Sequence, residues 1–249
     1  TKELASKSFR SYKEALDCYS KFDRTVCVSD TVKDDFESIF DTKKPVEVLY
    51  NTNESEKIKK LSDEKVNDVD FSKDTINIIS VAKIVPSKGY DRLMKIHKKL
   101  IEKNIKNHIY ILGIGEEKEK YEKYLTENNL TDTFTFLGYR DNPYKYVKKA
   151  DLYVCSSRRE GFSTAVTEAL IVGTPVVSTN CSGAYELLGE NNEYGIVTEN
   201  NEDALYEGIK KMLTTPDLLE AYASKAKERG KAFSTEKTVK AVEEMLSAL

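Results

Sequence analysis

Tryptophan is absent from this chain of 249 residues, histidine occurs twice and cysteine four times. These scarcities exclude several chemistries. Cys18, Cys27, Cys155 and Cys181 form no C-x-x-C pair, so the ligand spacing of a zinc site is missing and no zinc is expected. Cys27 and Cys155 fall inside apolar, strand-like runs, where a thiol acts as a small hydrophobe. The N-terminus carries no secretory leader pattern, and the expected setting is a reducing cytoplasm. No run of about 18 apolar residues occurs, which excludes a transmembrane helix. Positive charge is not in excess either: 39 Lys and Arg stand against 42 Asp and Glu, for a net charge of −3 without a basic face. Broad nucleic-acid binding is therefore not expected, and local positive sites stay open. No internal repeat or low-complexity tract interrupts the chain.

What is present is 39% hydrophobic and 33% charged residues, enough for a core and too charged for a membrane protein. The length suits one large domain, or one domain and a piece of another. Residues 4–19 place Leu4, Phe9, Tyr12, Leu16 and Tyr19 mostly on one helical face. "TVCVSD" then reads as a short strand, with Ser29 or Asp30 capping the helix "TVKDDFESIF". "VEVLY" is a second strand and "NTNESEK" a polar linker. Residues 1–50 look like the tail of a larger unit, and 51–74 like a linker with a lead-in helix. From residue 75 the rhythm is regular. "TINIISVA", "HIYIL", "TFTFLG", "LYVCS" and "PVVST" are strands, separated by "PSKGYDRLMKIHKKLIEK", "EEKEKYEKYLTENN", "PYKYVKKA" and "STAVTEALIVG" as helices. Three helices, 201–213, 216–229 and 234–248, close the chain. Strands alternating with helices predict an α/β, Rossmann-like, doubly wound parallel sheet with helices on both faces.

In such sheets ligands bind at the carboxyl ends of the strands, and three loops fall there. In "VAKIVPSKG", Lys83 ends a strand and Lys88 sits just inside a helix start, where two ammonium groups and free N–H groups suit a phosphate. Solvated surface lysines are the other reading. Gly113 and Gly115 in "LGIGEEKEKY" read as a tight strand-to-helix turn, because the acidic residues behind them oppose a phosphate. In "SSRREGFSTAVTEALIVGTPVV", Gly161 lets a ligand approach the backbone, and Ser163 and Thr164 open a helix whose first N–H groups suit a diphosphate. Glu168 projects from that helix one turn beyond Thr164, placed for vicinal hydroxyls, while Glu160 in the preceding loop can reach a second polyhydroxyl group. On the residues alone, a solvated Glu160 and an exposed Glu168 explain the pair at least as well.

"VAKIVPSKGYDRLM", "FLGYRDNPYKYVKKADLYVCSSRREGFSTAVTEAL" and "GTPVVSTNCSGAYELLGENNEYGIV" resemble, in order and spacing, glycosyltransferase family 4, retaining enzymes of the GT-B fold. The resemblance runs from about residue 15 to the C-terminus. It rests most on the E-x7-E motif of Glu160 and Glu168, followed by Gly-x-Pro at 173–175. It implies that Glu160 contacts the transferred sugar and that the backbone of Gly161, Phe162, Ser163 and Thr164 holds the diphosphate. Glu168 then binds the ribose. Lys83 and Lys88 fall where the family places an Arg and a Lys on the leaving diphosphate, and Tyr139 and Arg140 fall in the loop near the base. Ala82-Lys83 departs from the family's Gly-Arg, and a lysine lacks arginine's bidentate fork. Asn51-Thr52-Asn53 replaces the usual Asn-Gly at the linker.

The resemblance further implies a chain organised as the end of an acceptor-side domain (1–50), a linker (51–74), a nucleotide-sugar-binding domain (75–230) and a crossover helix (231–249). The donor expected is a nucleoside diphosphate sugar, UDP-linked, with protein cations in place of a metal and no further cofactor. The acceptor is a glycan or lipid-linked glycan held by an N-terminal domain that these residues do not include. Such a protein is cytoplasmic, or peripheral at the inner membrane face. Asp68-Val69-Asp70, a metal–nucleotide motif in the other major glycosyltransferase fold, precedes the first strand here and reads as a solvated linker. Arg158 and Arg159 read as a solvated loop, His97 and His108 as structural, and the C-terminal amphipathic helices as domain packing rather than membrane-surface elements. Other readings are a sugar-nucleotide epimerase or phosphorylase on the same fold, and a non-catalytic scaffold.

Overall fold

Six parallel strands in the order β5-β4-β3-β6-β7-β8 carry the chain in a computed structural model that describes residues 9–248. They are β3 (Ile76–Val81), β4 (Asn107–Leu112), β5 (Phe134–Gly138), β6 (Leu152–Cys155), β7 (Val176–Thr179) and β8 (Ile196–Thr198). The near-continuous apolar runs reflect a sheet covered on both faces. Successive side chains divide between two cores, as the period of two requires. Ile78, Ile109, Ile111, Leu152 and Val154 meet α4 (Tyr90–Glu102), α5 (Lys118–Glu127) and α9 (Glu202–Thr214) on one face. Ile79, Tyr110, Leu112, Tyr153 and Cys155 meet α3 (Ser55–Ser62), α6 (Tyr144–Lys149), α7 (Thr164–Val172) and α10 (Leu218–Gly230) on the other.

Before this sheet, α1 (Tyr12–Tyr19), β1 (Thr25–Cys27), α2 (Asp30–Ile39) and β2 (Val46–Val48) form a small unit with β1 and β2 paired in parallel. The part of the expected first helix before residue 9 lies outside the described residues. Ser29 caps α2, its side chain accepting from the Val32 N–H. The polar linker turns helical at Ser55, giving α3. A short helix, α8 (Ala184–Leu188), precedes β8; these two elements were not expected from the sequence pattern.

The C-terminal helix α11 (Thr235–Ser247) returns to the N-terminal unit. Thr235 Oγ1 accepts from the Ser55 N–H at 2.9 Å and donates to the Asn53 carbonyl at 2.5 Å, and Arg24 reaches the Ala248 carbonyl at 2.8 Å. Glu186 on α8 accepts from the Asp30 N–H at 3.0 Å and the Thr31 N–H at 3.3 Å. A carboxylate at those free N–H groups of α2 is favoured by the helix dipole and ties the two units together. No helix among the described residues is long and apolar enough to cross a membrane.

Candidate functional site

The chain lays down β3, β4 and β5 outward in one direction, then returns to place β6 against β3 and continues the other way. The crevice outside the carboxyl ends of β3 and β6 is therefore the switch point where doubly wound sheets bind ligands. Two of the three loops selected from the sequence line it. A cavity of ≈ 340 Å³ is lined by Lys83 and Lys88 from the loop after β3, and by Glu160, Phe162, Ser163 and Thr164 from the loop after β6. Tyr90, Tyr153, Cys155 and Ser157 also line it.

Lys88 does not stand inside a helix start as the sequence suggests. It closes a 3-10 turn, Pro86–Lys88, and Gly89 separates it from α4 in a left-handed conformation with φ +69°. A Cβ on Gly89 would lie 2.1 Å from the Ser156 carbonyl, so only glycine lets this turn press against the β6 loop. The result is contact between charges far apart in sequence. Lys88 Nζ donates to Glu160 Oε1 at 2.7 Å, and Ser157 Oγ donates to the same oxygen at 2.5 Å. Lys83 is exposed and makes no ion pair among the described residues.

Arg92, 5% exposed, fixes the loop from below. Its guanidinium donates to the Ser156 carbonyl at 2.8 and 2.5 Å, to the Ser157 carbonyl at 2.6 Å and to Asn200 Oδ1 at 2.8 Å. Its pKa is lowered, first by burial and then by Arg158. Arg158 is not simply solvated: it grips Asp91 through two hydrogen bonds of 2.7 Å and reaches the Pro86 carbonyl at 2.8 Å. Arg159 remains exposed.

Ser163 caps α7, its Oγ accepting from the Val166 N–H at 3.4 Å. The preceding first-turn N–H groups of Thr164 and Ala165 have no intrahelical partner and suit an anion. A Cβ at Gly161 would meet nothing within 4 Å, so the space over that backbone is open. Phe162 turns inward at 8% exposure, stacked on Tyr50 with ring centroids 5.0 Å apart and 6.1 Å from Phe233. Glu168 lies one turn further along α7, outside the cavity lining, where burial raises its carboxyl from 4.5 to about 7. Tyr144 Oη donates to its Oε1 at 3.4 Å.

Comparison with known proteins gives the family. The family model for glycosyl transferases group 1 matches residues 62–229. The chain belongs to this family. The N-acetylgalactosamine-N,N'-diacetylbacillosaminyl-diphospho-undecaprenol 4-alpha-N-acetylgalactosaminyltransferase of Campylobacter jejuni is 36% identical over 194 residues, covering 76% of this chain and 50% of that enzyme. The chain thus spans about half the length of that relative. The poly(ribitol-phosphate) alpha-N-acetylglucosaminyltransferase of Staphylococcus aureus is 29% identical over 59% of the chain and 30% of its own length. The crystal structure of Anabaena Alr3699/HepE in complex with UDP has a TM-score of 0.81 at 20% identity, over 96% of this chain and 67% of that one. At that identity it shows a shared fold, that of the GT-B glycosyltransferases.

The other residues selected from the sequence do not line this cavity. Tyr139 is 66% exposed after β5. Arg140 Nε donates to Asp68 Oδ2 at 3.1 Å, and Tyr146 Oη donates to the same carboxylate at 2.8 and 2.9 Å. Asp68 is exposed, as a solvated linker residue should be, and also tethers Arg140; the Tyr146 hydrogen bond leads the causes that lower its pKa. Gly113 has φ +153°, and a Cβ there would lie 1.9 Å from the Ala82 carbonyl; the glycine packs the β4 loop against the strand end carrying Lys83. His97 is buried between Asn107 and Thr133, each at 2.8 Å, and burial pushes its pKa down to about 4. His108 stacks on Tyr110. No cluster of three or more His, Cys, Asp or Glu side chains among the described residues could hold a metal.

Arg92, Ser157 and Tyr144 were missed from the sequence. Arg92 did leave a signal: it is on the apolar stripe of its helix, with Tyr90, Leu93 and Ile96. An arginine facing a core needs partners there. Ser157 and Tyr144 carry no comparable signature: Ser157 meets Glu160 three residues on within an irregular loop, and Tyr144 meets Glu168 across 24 residues.

Proposed function

We propose that this chain is the donor-binding part of a retaining glycosyltransferase, which takes a sugar from a nucleoside diphosphate sugar, UDP-linked, and passes it to a hydroxyl of a glycan or lipid-linked glycan. The observation that carries this reading is the convergence of Lys83, Lys88, Glu160 and the α7 N-terminus on one crevice at the switch point of the sheet. The diphosphate lies against the free N–H groups of α7, with Lys83 and Lys88 beside it. As the bond between the sugar and the diphosphate breaks, negative charge grows on the leaving group. The two ammonium groups oppose that charge where it develops, the most effective place for fixed cations. Glu160 orients the sugar and Glu168 accepts from the ribose hydroxyls. Tyr139 and Arg140 flank the base. No metal or further cofactor enters this reading.

The acceptor is held by a further domain of a longer protein, which works in the cytoplasm or at the inner membrane face. The similarity to enzymes whose names describe undecaprenol-linked and poly(ribitol-phosphate) acceptors supports a polymer or lipid-linked acceptor. A half-buried carboxylate at Glu168 with one long hydrogen bond supports a working site over a scaffold, because burying it unpaired costs stability. Product analysis tests the reading. The longer protein, given labelled UDP-sugars with and without an acceptor extract, should move label to the acceptor with the donor's anomeric configuration. An epimerised sugar nucleotide formed without acceptor would contradict it.

A further inference from the structure

The carboxylate of Glu160 is held on one side only. Lys88 Nζ and Ser157 Oγ both donate to Oε1, at 2.7 and 2.5 Å, while no hydrogen bond to Oε2 occurs among the described residues. The two donors differ in kind. A lysine ammonium is a mobile point charge on a flexible stem and turns toward a stronger anion when one arrives. A serine hydroxyl goes where its backbone puts it. The Ser157 backbone is fixed: its carbonyl accepts from Arg92 Nη2 at 2.6 Å, from Thr179 Oγ1 at 2.6 Å and from Cys181 Sγ at 3.2 Å. Those donors come from α4, from the end of β7 and from the loop after it. Ser157 itself is 3% exposed.

We infer that Ser157 is a positioning residue for Glu160: it retains Oε1 after Lys88 has moved to the diphosphate, and so keeps Oε2 aimed at the donor sugar. This rests on the donor-site reading above. The division of labour separates two parts of donor binding. Lys88 and the α7 N-terminus serve the nucleoside diphosphate, and Ser157 serves only the sugar, through Glu160. Loss of the Ser157 hydroxyl therefore discriminates between UDP and a UDP-sugar, which a merely structural role does not.

The test is calorimetric titration of this chain with UDP and with UDP-glucose, UDP-galactose, UDP-N-acetylglucosamine and UDP-N-acetylgalactosamine, carrying forward the sugar nucleotide that the wild type binds most tightly. Ser157→Ala should leave the Kd for UDP within about twofold and weaken that sugar nucleotide roughly tenfold, the scale of one hydrogen bond to a charged group. Ser157→Thr, which keeps the hydroxyl, should restore most of the loss. Should Ser157→Ala melt too low to titrate, Ser157→Cys replaces it with a near-isosteric weak donor and the same expected split. Equal weakening of UDP and UDP-sugar, or no weakening of either, overturns the positioning role while leaving the donor site standing. Failure of the wild type to bind any of these nucleotides overturns the donor-site reading and the positioning role with it.

Discussion

Lys88 Nζ stands 2.7 Å from Glu160 Oε1 across 72 residues of sequence, both side chains largely withdrawn from solvent. The pair places a charge-balanced cation at the switch point. On the donor-site reading, a diphosphate, with more negative charge than one carboxylate, takes the ammonium over. Lys88→Ala should accordingly lose about 1.5–3 kcal/mol of UDP affinity, the range for a hydrogen bond to a charged group. Unchanged affinity in a calorimetric titration would remove the phosphate role from Lys88.

Glu168 should make stability depend on pH and, on the donor-site reading, UDP binding as well. Burial raises its carboxyl from 4.5 to about 7. Between these values the folded chain binds more protons than the unfolded chain, so this residue lowers stability as pH rises through the window. Glu168→Gln should flatten that slope and gain about 1–3 kcal/mol above neutral pH, read from urea unfolding at several pH values. UDP binding should behave oppositely. Ribose hydroxyls donate to the ionised form, so affinity rises between about pH 6 and about pH 8 beyond the change due to the nucleotide's own phosphate. Identical pH profiles in wild type and Glu168→Gln would contradict this.

Arg92 and Gly89 hold the β6 loop. Arg92→Met leaves the Ser156 carbonyl without its buried donor, removes one of three donors from the Ser157 carbonyl, and should cost about 2–4 kcal/mol. Gly89→Ala adds left-handed backbone strain of about 1–2 kcal/mol to a clash with the Ser156 carbonyl. Denaturant midpoints check both. A Gly89→Ala chain as stable as wild type would mean that the close approach of these loops is dispensable.

Tyr50 and Phe233 bracket Phe162 from the two segments where the chain passes between its N-terminal unit and the six-stranded sheet. Ring centroids lie 5.0 Å apart for Tyr50 and Phe162 and 5.6 Å for Tyr50 and Phe233. Tyr50→Ala should lower stability by about 2 kcal/mol, less than a fully buried aromatic because Tyr50 is half-buried. Hydrogen exchange should quicken at residues 158–164 more than in β3 or β4. Tyr50→Phe should keep the stack and its protection. Uniform quickening would show that the cluster stabilises the fold without steadying the loop after β6.

Most of the sheet was legible because its strands are apolar runs between amphipathic helices, and long patterned segments leave little ambiguity. The short elements α8 and β8 escaped: five and three residues are too few to show a period. The E-x7-E spacing pointed to the loop after β6, which does line the crevice, but distance in sequence hid what organises it. Lys88 was expected at a helix start because "PSKGYDRLM" looks continuous. Gly89 breaks the helix there, and the break creates the contact with Ser156 and Glu160. Asp68 looked like linker charge because its partners, Arg140 and Tyr146, lie 72 and 78 residues away. Lone carboxylates and hydroxyls reveal such roles only once the chain is folded.

The central claim is that the crevice binds a nucleoside diphosphate, and titration of UDP into this chain beside Lys88→Ala and Glu168→Ala tests it most directly. Saturable, one-to-one binding that both substitutions weaken is the result expected. Absence of binding, or binding that neither substitution changes, would contradict it.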